Sequence, residues 1–119
     1  MKRLLNAFRN SLRAFGRLIR TEKAFQQEVV LLLAALPAAW FLSQSWWGFA
    51  LLIGAILLLI IVEVLNTGIE AACDAFSREF NTDIQLAKDC GSLAVLISIV
   101  MAGGVWLLAV AEKIAGVAL

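Results

Sequence analysis

Four oxygen-bearing side chains, Glu63, Asn66, Glu70 and Asp74, follow one another along one stretch of the chain. Their spacing places them within about 80° of one another around an α-helix. The preceding stretch, residues 29–62, carries no charge. Carboxylate and amide oxygens are hard ligands that suit Mg²⁺, and a further carboxylate can take a proton from a hydroxyl group. The pattern therefore predicts a polar site on an otherwise apolar helix.

More polar side chains lie at the ends of the other apolar stretches. Glu22 and Glu28 precede the first stretch, and Lys88 and Asp89 precede another, which is uncharged over residues 90–111. We expect all these groups to meet at one level of the folded chain. Carboxylates for Mg²⁺, a lysine for phosphate oxygens and a carboxylate that accepts a proton are the parts that phosphoryl transfer requires.

The spacing alone leaves other interpretations open. The chain has neither a Walker A sequence nor a G-x-G-x-x-G motif, so the nucleotide-binding fold of soluble kinases is not indicated. The polar face could instead be a solvated surface or the ion-coupling site of a small transporter. The absence of histidine excludes catalysis by imidazole. Cys73 and Cys90 are too few for a disulfide framework, and we expect them to be small core residues.

The composition of the chain indicates that lipid surrounds most of its surface. Of the 119 residues, 62% are hydrophobic, and the mean hydropathy is +0.91. A chain of this size cannot bury so much apolar surface in its own core, so we expect an integral membrane protein. The formal net charge of +1 gives no indication of a nucleic-acid partner, and we expect none.

The uncharged stretch 29–62 is too long for a single span. As one helix it would measure about 51 Å, whereas the hydrocarbon core of a bilayer is about 30 Å thick. The polar and Trp-rich residues 43–48 predict a turn at a membrane interface. We expect an all-α integral membrane fold with three transmembrane helices and an N-terminal amphipathic surface helix. The segments of this single domain, 1–119, are the surface helix 1–25, TM1 26–43, TM2 46–70 with a cytoplasmic extension, a cytoplasmic loop 71–89 and TM3 90–112.

The N-terminal segment carries seven of the ten basic residues within its first 23 positions. Apolar residues recur among them at helical spacing, which is typical of a helix on an anionic membrane surface. The positive-inside rule places this helix and the loop 71–89 in the cytoplasm, and the turn 43–48 outside. Within the loop, Asn81 is predicted to cap a helix.

Three segments resemble motifs of the prokaryotic diacylglycerol kinase family. Residues 63–74, EVLNTGIEAACD, are similar to its signature E-x-apolar-N-[ST]-[SA]-apolar-E-x-x-V-D. Residues 87–95, AKDCGSLAV, resemble its A-K-D-x-[GA]-[SA]-A-A-V segment, and residues 22–28, EKAFQQE, resemble E-x-A-F-R-Q-E. Order and spacing match over essentially the whole chain. Gly68 stands where the family prefers Ala or Ser, and Cys73 where it prefers Val.

The resemblance implies a homotrimeric lipid kinase of the bacterial inner membrane whose active site faces the cytoplasm. Such an enzyme uses ATP and Mg²⁺ to phosphorylate diacylglycerol to phosphatidic acid, and it contacts membrane lipid throughout. An alternative with the same chemistry is an undecaprenol kinase, in which undecaprenol replaces diacylglycerol as the lipid substrate. A non-enzymatic structural or transport protein is the alternative from another class.

The resemblance also implies roles for individual residues. Glu63 is then the base that takes the hydroxyl proton, with Asn66 beside it, and Glu22 and Glu70 are the metal ligands. The positions implied to bind ATP are Arg3, Asn10, Glu22, Glu70, Glu79, Phe80, Asn81, Lys88 and Asp89. The positions implied to bind the lipid substrate are Ala7, Ser11, Leu12, Arg17, Ala24, Phe25, Glu28, Glu63 and Ser92.

Overall fold

The structure, a computed structural model, describes residues 1–116, which form four α-helices and no β-strand. Residues 117–119, the end of the predicted domain 1–119, lie outside the described residues. Three of the helices are long and apolar enough to cross a membrane, which confirms the predicted fold class. The helices are α1 (Lys2–Thr21), α2 (Lys23–Leu42), α3 (Trp46–Phe76) and α4 (Thr82–Ala115).

The junction between α1 and α2 is a single residue, Glu22, with an extended backbone (φ −105°, ψ 110°). Gln26 Nε2 donates a 2.9 Å hydrogen bond to the carbonyl of Ile19 and satisfies a backbone group that the helix end leaves free. The rings of Phe15 and Phe25 pack edge to face with centroids 5.5 Å apart. These contacts join α1 to α2, the one helix on which α1 packs within residues 1–116.

The surface of α1 is suited to a membrane interface. None of its residues is buried within the chain. Exposed apolar residues next to a basic face are typical of a helix that lies in the plane of a membrane surface. The large apolar residues exposed on α1 are Leu4, Leu5, Phe8, Leu12 and Phe15.

The connection between α2 and α3 is a tight turn with an aromatic cluster. The Ser45 hydroxyl accepts a 3.0 Å hydrogen bond from the Gly48 N–H and so caps α3. The Trp40 ring meets those of Trp46 and Phe49 edge to face, with centroids 5.5 and 6.0 Å away. Aromatic rings of this kind favour the boundary between hydrocarbon and water, where the sequence places this turn.

The central helix is α3, on which both α2 and α4 pack. The most buried cluster takes one residue from each of the three spanning helices, namely Ala39, Leu52 and Ala109. Small residues allow helix backbones to approach closely. Trp106 Nε1 donates a 3.0 Å hydrogen bond to the carbonyl of Leu52, which adds a polar contact between α3 and α4.

The predicted cytoplasmic loop 71–89 is mostly helical, so its expected extent is wrong. Helix α3 continues to Phe76 and α4 begins at Thr82, which leaves residues 77–81 outside the helices. The polar side chains of this region lie on helix ends beyond the apolar stretches. A polar segment that contains neither Gly nor Pro can remain helical. Its polarity shows that the helix has passed from lipid into water, and it does not show that the helix has ended.

The capping residues decide where these helix ends fall. Asn81 Oδ1 accepts hydrogen bonds from the backbone N–H groups of Asp83 (2.9 Å) and Ile84 (3.2 Å), which confirms the predicted cap of α4. At the other end of α4, Gly116 adopts the left-handed conformation (φ 76°) that glycine favours after a helix.

The two cysteines are not core residues, which corrects the sequence expectation. Cys73 is half-buried and Cys90 is exposed. The cause is the shape of the packing, because each spanning helix touches its neighbours along a narrow strip and turns the rest of its surface outward. Small size alone therefore does not bury a residue here.

Candidate active site at the polar helix ends

The predicted polar face of α3 forms, and hydrogen bonds orient its carboxylates. Asn66 is buried, and its Nδ2 donates a 2.9 Å hydrogen bond to Glu70 Oε1. The Thr67 hydroxyl lies 3.4 Å from Glu63 Oε2, to which it donates. In each pair the residues are four apart and so face each other on the helix. The Asn66 amide thus fixes one oxygen of Glu70 and leaves the other available, whereas the long Thr67 contact restrains Glu63 only weakly.

A glycine on α4 makes room for Asn66. A Cβ added to Gly91 would overlap Asn66 Oδ1, so this close approach of α3 and α4 requires a residue without a side chain. Asn66 Oδ1 is buried and has no hydrogen-bond partner among the described residues. Such a group retains an unused acceptor beside the Glu70 contact. Gly91 lies inside one of the three motifs, but its role was not predicted from the sequence.

Carboxylates from α2, from α3 and from the junction before α2 interact electrostatically with Glu63. The charges of Glu22 and Glu70 act on its carboxylate, and its own charge acts on Glu28. Glu28 Oε1 is buried without a hydrogen-bond partner in the part of the chain that the structure describes. A buried oxygen of this kind stands ready to bond a ligand hydroxyl group. Glu63 therefore interacts electrostatically with the three other glutamates that the sequence predicts at one level.

The donor set fits a metal ion that is shared with a substrate. Within residues 1–116, no group of three or more acidic, Cys or His side chains could hold a metal ion alone. Mg²⁺ commonly takes one or two carboxylates together with substrate phosphates. Glu22, at the helix junction, and Glu70, with one oxygen still available, would supply hard oxygen donors to such an ion.

An ion pair joins α3 to α4 next to these carboxylates. Lys88 Nζ lies 2.7 Å from Asp74 Oδ1, and the two side chains are 39% and 34% exposed respectively. Glu70 also acts electrostatically on Lys88. The predicted phosphate-binding lysine is thus placed beside the carboxylate face, and it remains accessible from water.

The residues predicted to bind the rest of ATP lie at the exposed end of the α3–α4 pair. Phe80 is 82% exposed, and Glu79, Asn81 and Asp89 are also exposed. The Ser77 hydroxyl accepts a 3.1 Å hydrogen bond from the Glu79 N–H, which shapes the short loop 77–81. Arg3 and Asn10 are on α1, which contacts neither α3 nor α4 within the described chain, so a single chain does not bring them to this loop.

Six of the nine predicted lipid-binding positions are exposed, Glu28 and Glu63 are half-buried, and Phe25 is buried. Phe25 is 3% exposed and packs on Phe15, so its observed contact joins α1 to α2. Ser92 is exposed on α4 beside Gly91. The other exposed positions of this set are Ala7, Ser11, Leu12, Arg17 and Ala24.

Comparison with known proteins gives consistent results. The sequence model of the family described as "Prokaryotic diacylglycerol kinase" matches residues 9–110. The "Diacylglycerol kinase" of Pseudomonas aeruginosa is 40% identical over 106 residues, which cover 89% of this chain and 86% of the relative. The protein of the same name from Escherichia coli K12 is 42% identical over 85 residues, which cover 71% of this chain and 70% of the relative. That of Haemophilus influenzae is 31% identical over 103 residues, covering 87% of each chain.

The fold and the site define a helical membrane protein that gathers ionisable groups at its helix ends, and the matches define a lipid kinase. The chain belongs to the prokaryotic diacylglycerol kinase family. Membership of this family decides against the non-enzymatic alternative. A kinase family implies ATP as phosphoryl donor and a divalent metal ion.

Proposed function

We propose that this protein transfers the γ-phosphoryl group of ATP to the free hydroxyl group of diacylglycerol, giving phosphatidic acid and ADP. The observation that carries the proposal is the position of Glu63 and Glu70 just beyond the uncharged stretch 29–62, with Glu70 held by a hydrogen bond from Asn66. Diacylglycerol stays in the bilayer and ATP stays in water, so a site at this boundary receives each substrate from its own phase. The names of the relatives support the choice of lipid.

The chemical step assigns a role to each carboxylate. Glu63 takes the proton of the lipid hydroxyl group while the hydroxyl oxygen bonds to the γ-phosphorus. The bond from the γ-phosphorus to the bridging oxygen of ATP breaks, and its electron pair leaves on ADP. Glu22 and Glu70 would hold Mg²⁺ on the phosphates, where the ion supplies charge neutralisation. Lys88 binds phosphate oxygens as a point charge.

The surrounding residues hold the two substrates. Asn66 keeps Glu70 oriented, and Glu28 offers its unpaired oxygen to the lipid headgroup. The exposed loop residues around Phe80, with Asp89, receive the part of ATP that projects into water. The exposed apolar face of α1 lies at the membrane surface, and Ser92 is exposed on α4 for contact with the lipid.

The proposed location is the bacterial inner membrane, with the site facing the cytoplasm. The basic N-terminal segment and the loop 77–81 support this orientation through the positive-inside rule. Cysteine substitutions at Ser45 and Ser77, each in a chain without native cysteines, test it in intact cells. We expect an impermeant thiol reagent to label position 45 only, and labelling of position 77 alone would reverse the orientation.

A homotrimer is the proposed assembly. The packing of one chain leaves Gly54, Gly68, Gly103 and Gly104 facing open space, where a neighbouring helix could approach. A groove of about 440 Å³ also opens between the three spanning helices. The number of chains rests on the family resemblance. Native mass spectrometry in detergent is expected to give three times the chain mass, and a monomer would contradict the assembly.

The test of the activity uses the purified full-length protein in mixed micelles. We expect the γ-phosphate of labelled ATP to appear in phosphatidic acid when Mg²⁺ is present, and the transfer to stop when the metal is chelated. Undecaprenol is supplied in parallel micelles at the same mole fraction. A faster reaction with undecaprenol would reassign the lipid, and no transfer to either lipid would overturn the proposed function.

A further inference from the structure

Asp74 has no role in the proposed reaction, yet it makes the ion pair that holds Lys88. We propose that Asp74 is a positioning residue for nucleotide binding, which keeps the Lys88 ammonium group beside Glu70 and aimed at the phosphates of ATP. The inference rests on the proposed function. The carrying observation is the 2.7 Å contact between Lys88 Nζ and Asp74 Oδ1, which joins α4 to α3.

The geometry leaves Lys88 able to bind two partners at once. An ammonium group has three N–H donors, and Asp74 occupies one of them through a single oxygen. The remaining donors are available to phosphate oxygens. Both side chains are more than a third exposed, so ATP can reach the pair from water without local unfolding.

A second carboxylate explains why Lys88 needs a fixed partner. Glu70 lies one helical turn before Asp74 on α3, and its charge also acts on Lys88. A lysine side chain has four rotatable bonds, so a Lys88 without Asp74 would be free to pair with Glu70. That pairing would neutralise a carboxylate that the proposed reaction assigns to the metal. The contact with Asp74 keeps the cation close to Glu70 and leaves Glu70 free.

The local charges reinforce this arrangement. Arg78, in the short loop 77–81, also acts electrostatically on Asp74. Arg78 forms no ion pair with Asp74 within the described residues, so Lys88 is the cation that Asp74 holds, at the end of the α3–α4 pair where the ATP-binding residues are exposed.

If Asp74 instead withheld Lys88 from the phosphates, removal of Asp74 would strengthen ATP binding and lower the KM for ATP. An exposed ion pair is weak and is screened by salt, so its partial loss opposes phosphate binding only slightly. The order that the pair imposes on a flexible lysine is the larger effect, because catalysis is sensitive to small misplacements. Removal of Asp74 is therefore expected to weaken ATP binding.

The experiment compares Asp74→Asn, Asp74→Glu and the wild type in micelles, with Asp83→Asn as the matched control. Asp83 is also an exposed acid near the loop, and it forms no ion pair within the described residues. We expect Asp74→Asn to raise the KM for ATP about threefold, the size of effect that an exposed ion pair can supply, with the KM for diacylglycerol unchanged. Asp74→Glu restores most of the affinity because it restores the carboxylate, and Asp83→Asn behaves as the wild type.

The outcomes separate this inference from the proposed function. An inactive wild type would overturn the proposed function, and this inference with it. An active Asp74→Asn variant with an unchanged or lowered KM for ATP would overturn the inference alone. Size-exclusion chromatography and thermal unfolding accompany each variant. An Asp74→Asn protein that fails to assemble would make the pair structural and would also overturn the inference.

Discussion

Asn66 Oδ1 occupies the space that a side chain at Gly91 would fill. The absence of a side chain on α4 thus decides the position of an amide on α3. That amide in turn donates to Glu70 Oε1 at 2.9 Å. Glu70 is a proposed metal ligand, so a packing contact between two helices controls the orientation of a group assigned to the chemistry.

Gly91→Ala is expected to lower activity more than stability. The added methyl group turns Asn66 away from Glu70, and we expect kcat to fall on the order of tenfold or more. Displacement of the buried Asn66 side chain costs stability, and the higher helix propensity of alanine, about 1 kcal/mol over glycine, offsets part of that cost. Gly16→Ala is the matched control, since the nearest atom to a Cβ there is the flexible end of the Arg20 side chain at 3.3 Å. Full activity of Gly91→Ala would contradict the claim that the lack of a side chain at Gly91 fixes the position of Asn66.

Asn66→Asp tests the orientation of Glu70 by a neutral donor. The substitution replaces the amide donor with a second carboxylate four residues from Glu70, and like charges at this spacing repel. We expect kcat to fall on the order of a hundredfold, as measured by phosphate transfer in micelles. Thr67→Val is the comparison variant, and we expect its kcat to fall less than that of Asn66→Asp. The Thr67 hydrogen bond to Glu63 is long at 3.4 Å and so contributes little, and a larger loss for Thr67→Val than for Asn66→Asp would reverse the assignment.

Trp106→Phe is expected to change stability and not activity. It removes the 3.0 Å hydrogen bond to the Leu52 carbonyl at the contact between α3 and α4. The expected loss is about 1 kcal/mol in the free energy of unfolding, measured by thermal or denaturant unfolding in micelles. Trp47→Phe is the control, because Trp47 is 86% exposed. Equal losses for the two variants would show that the hydrogen bond adds nothing.

Phe25→Ala is expected to loosen α1 from α2. Phe25 is buried at 3% exposure against Phe15, at the junction of the two helices. Its removal leaves a gap, and α1 then separates from α2 more often. We expect trypsin to cleave faster next to Arg20 and Lys23 in micelles. Phe41→Ala, a change at an exposed ring, leaves the cleavage rate unchanged. Equal cleavage of both variants and the wild type would place the anchor of α1 elsewhere.

The features that the sequence predicts are local or depend on hydropathy. Three spans, a surface helix and the Asn81 cap follow from runs of apolar residues and from a capping side chain next to its targets. The polar face of α3 follows from helical periodicity. The extent of the loop 71–89 was wrong because polarity does not mark a helix end, whereas the caps do.

The contacts between helices could not be predicted. The overlap of Asn66 with the position of Gly91 depends on the register of α3 against α4, which no local pattern encodes. The same holds for the pair of Asp74 and Lys88, which are 14 residues apart. The sequence placed Asp74 on the polar face, but it did not indicate its partner.

The most direct test of the central claim is the rate of phosphate transfer to diacylglycerol by Glu63→Gln in micelles, at saturating ATP and Mg²⁺. The account predicts that kcat falls on the order of a hundredfold or more, because the general base is lost, while ATP binding and assembly are retained. Glu112→Gln, near the opposite end of α4, is the matched control and keeps the wild-type rate. A correctly assembled Glu63→Gln protein with full activity would contradict the account.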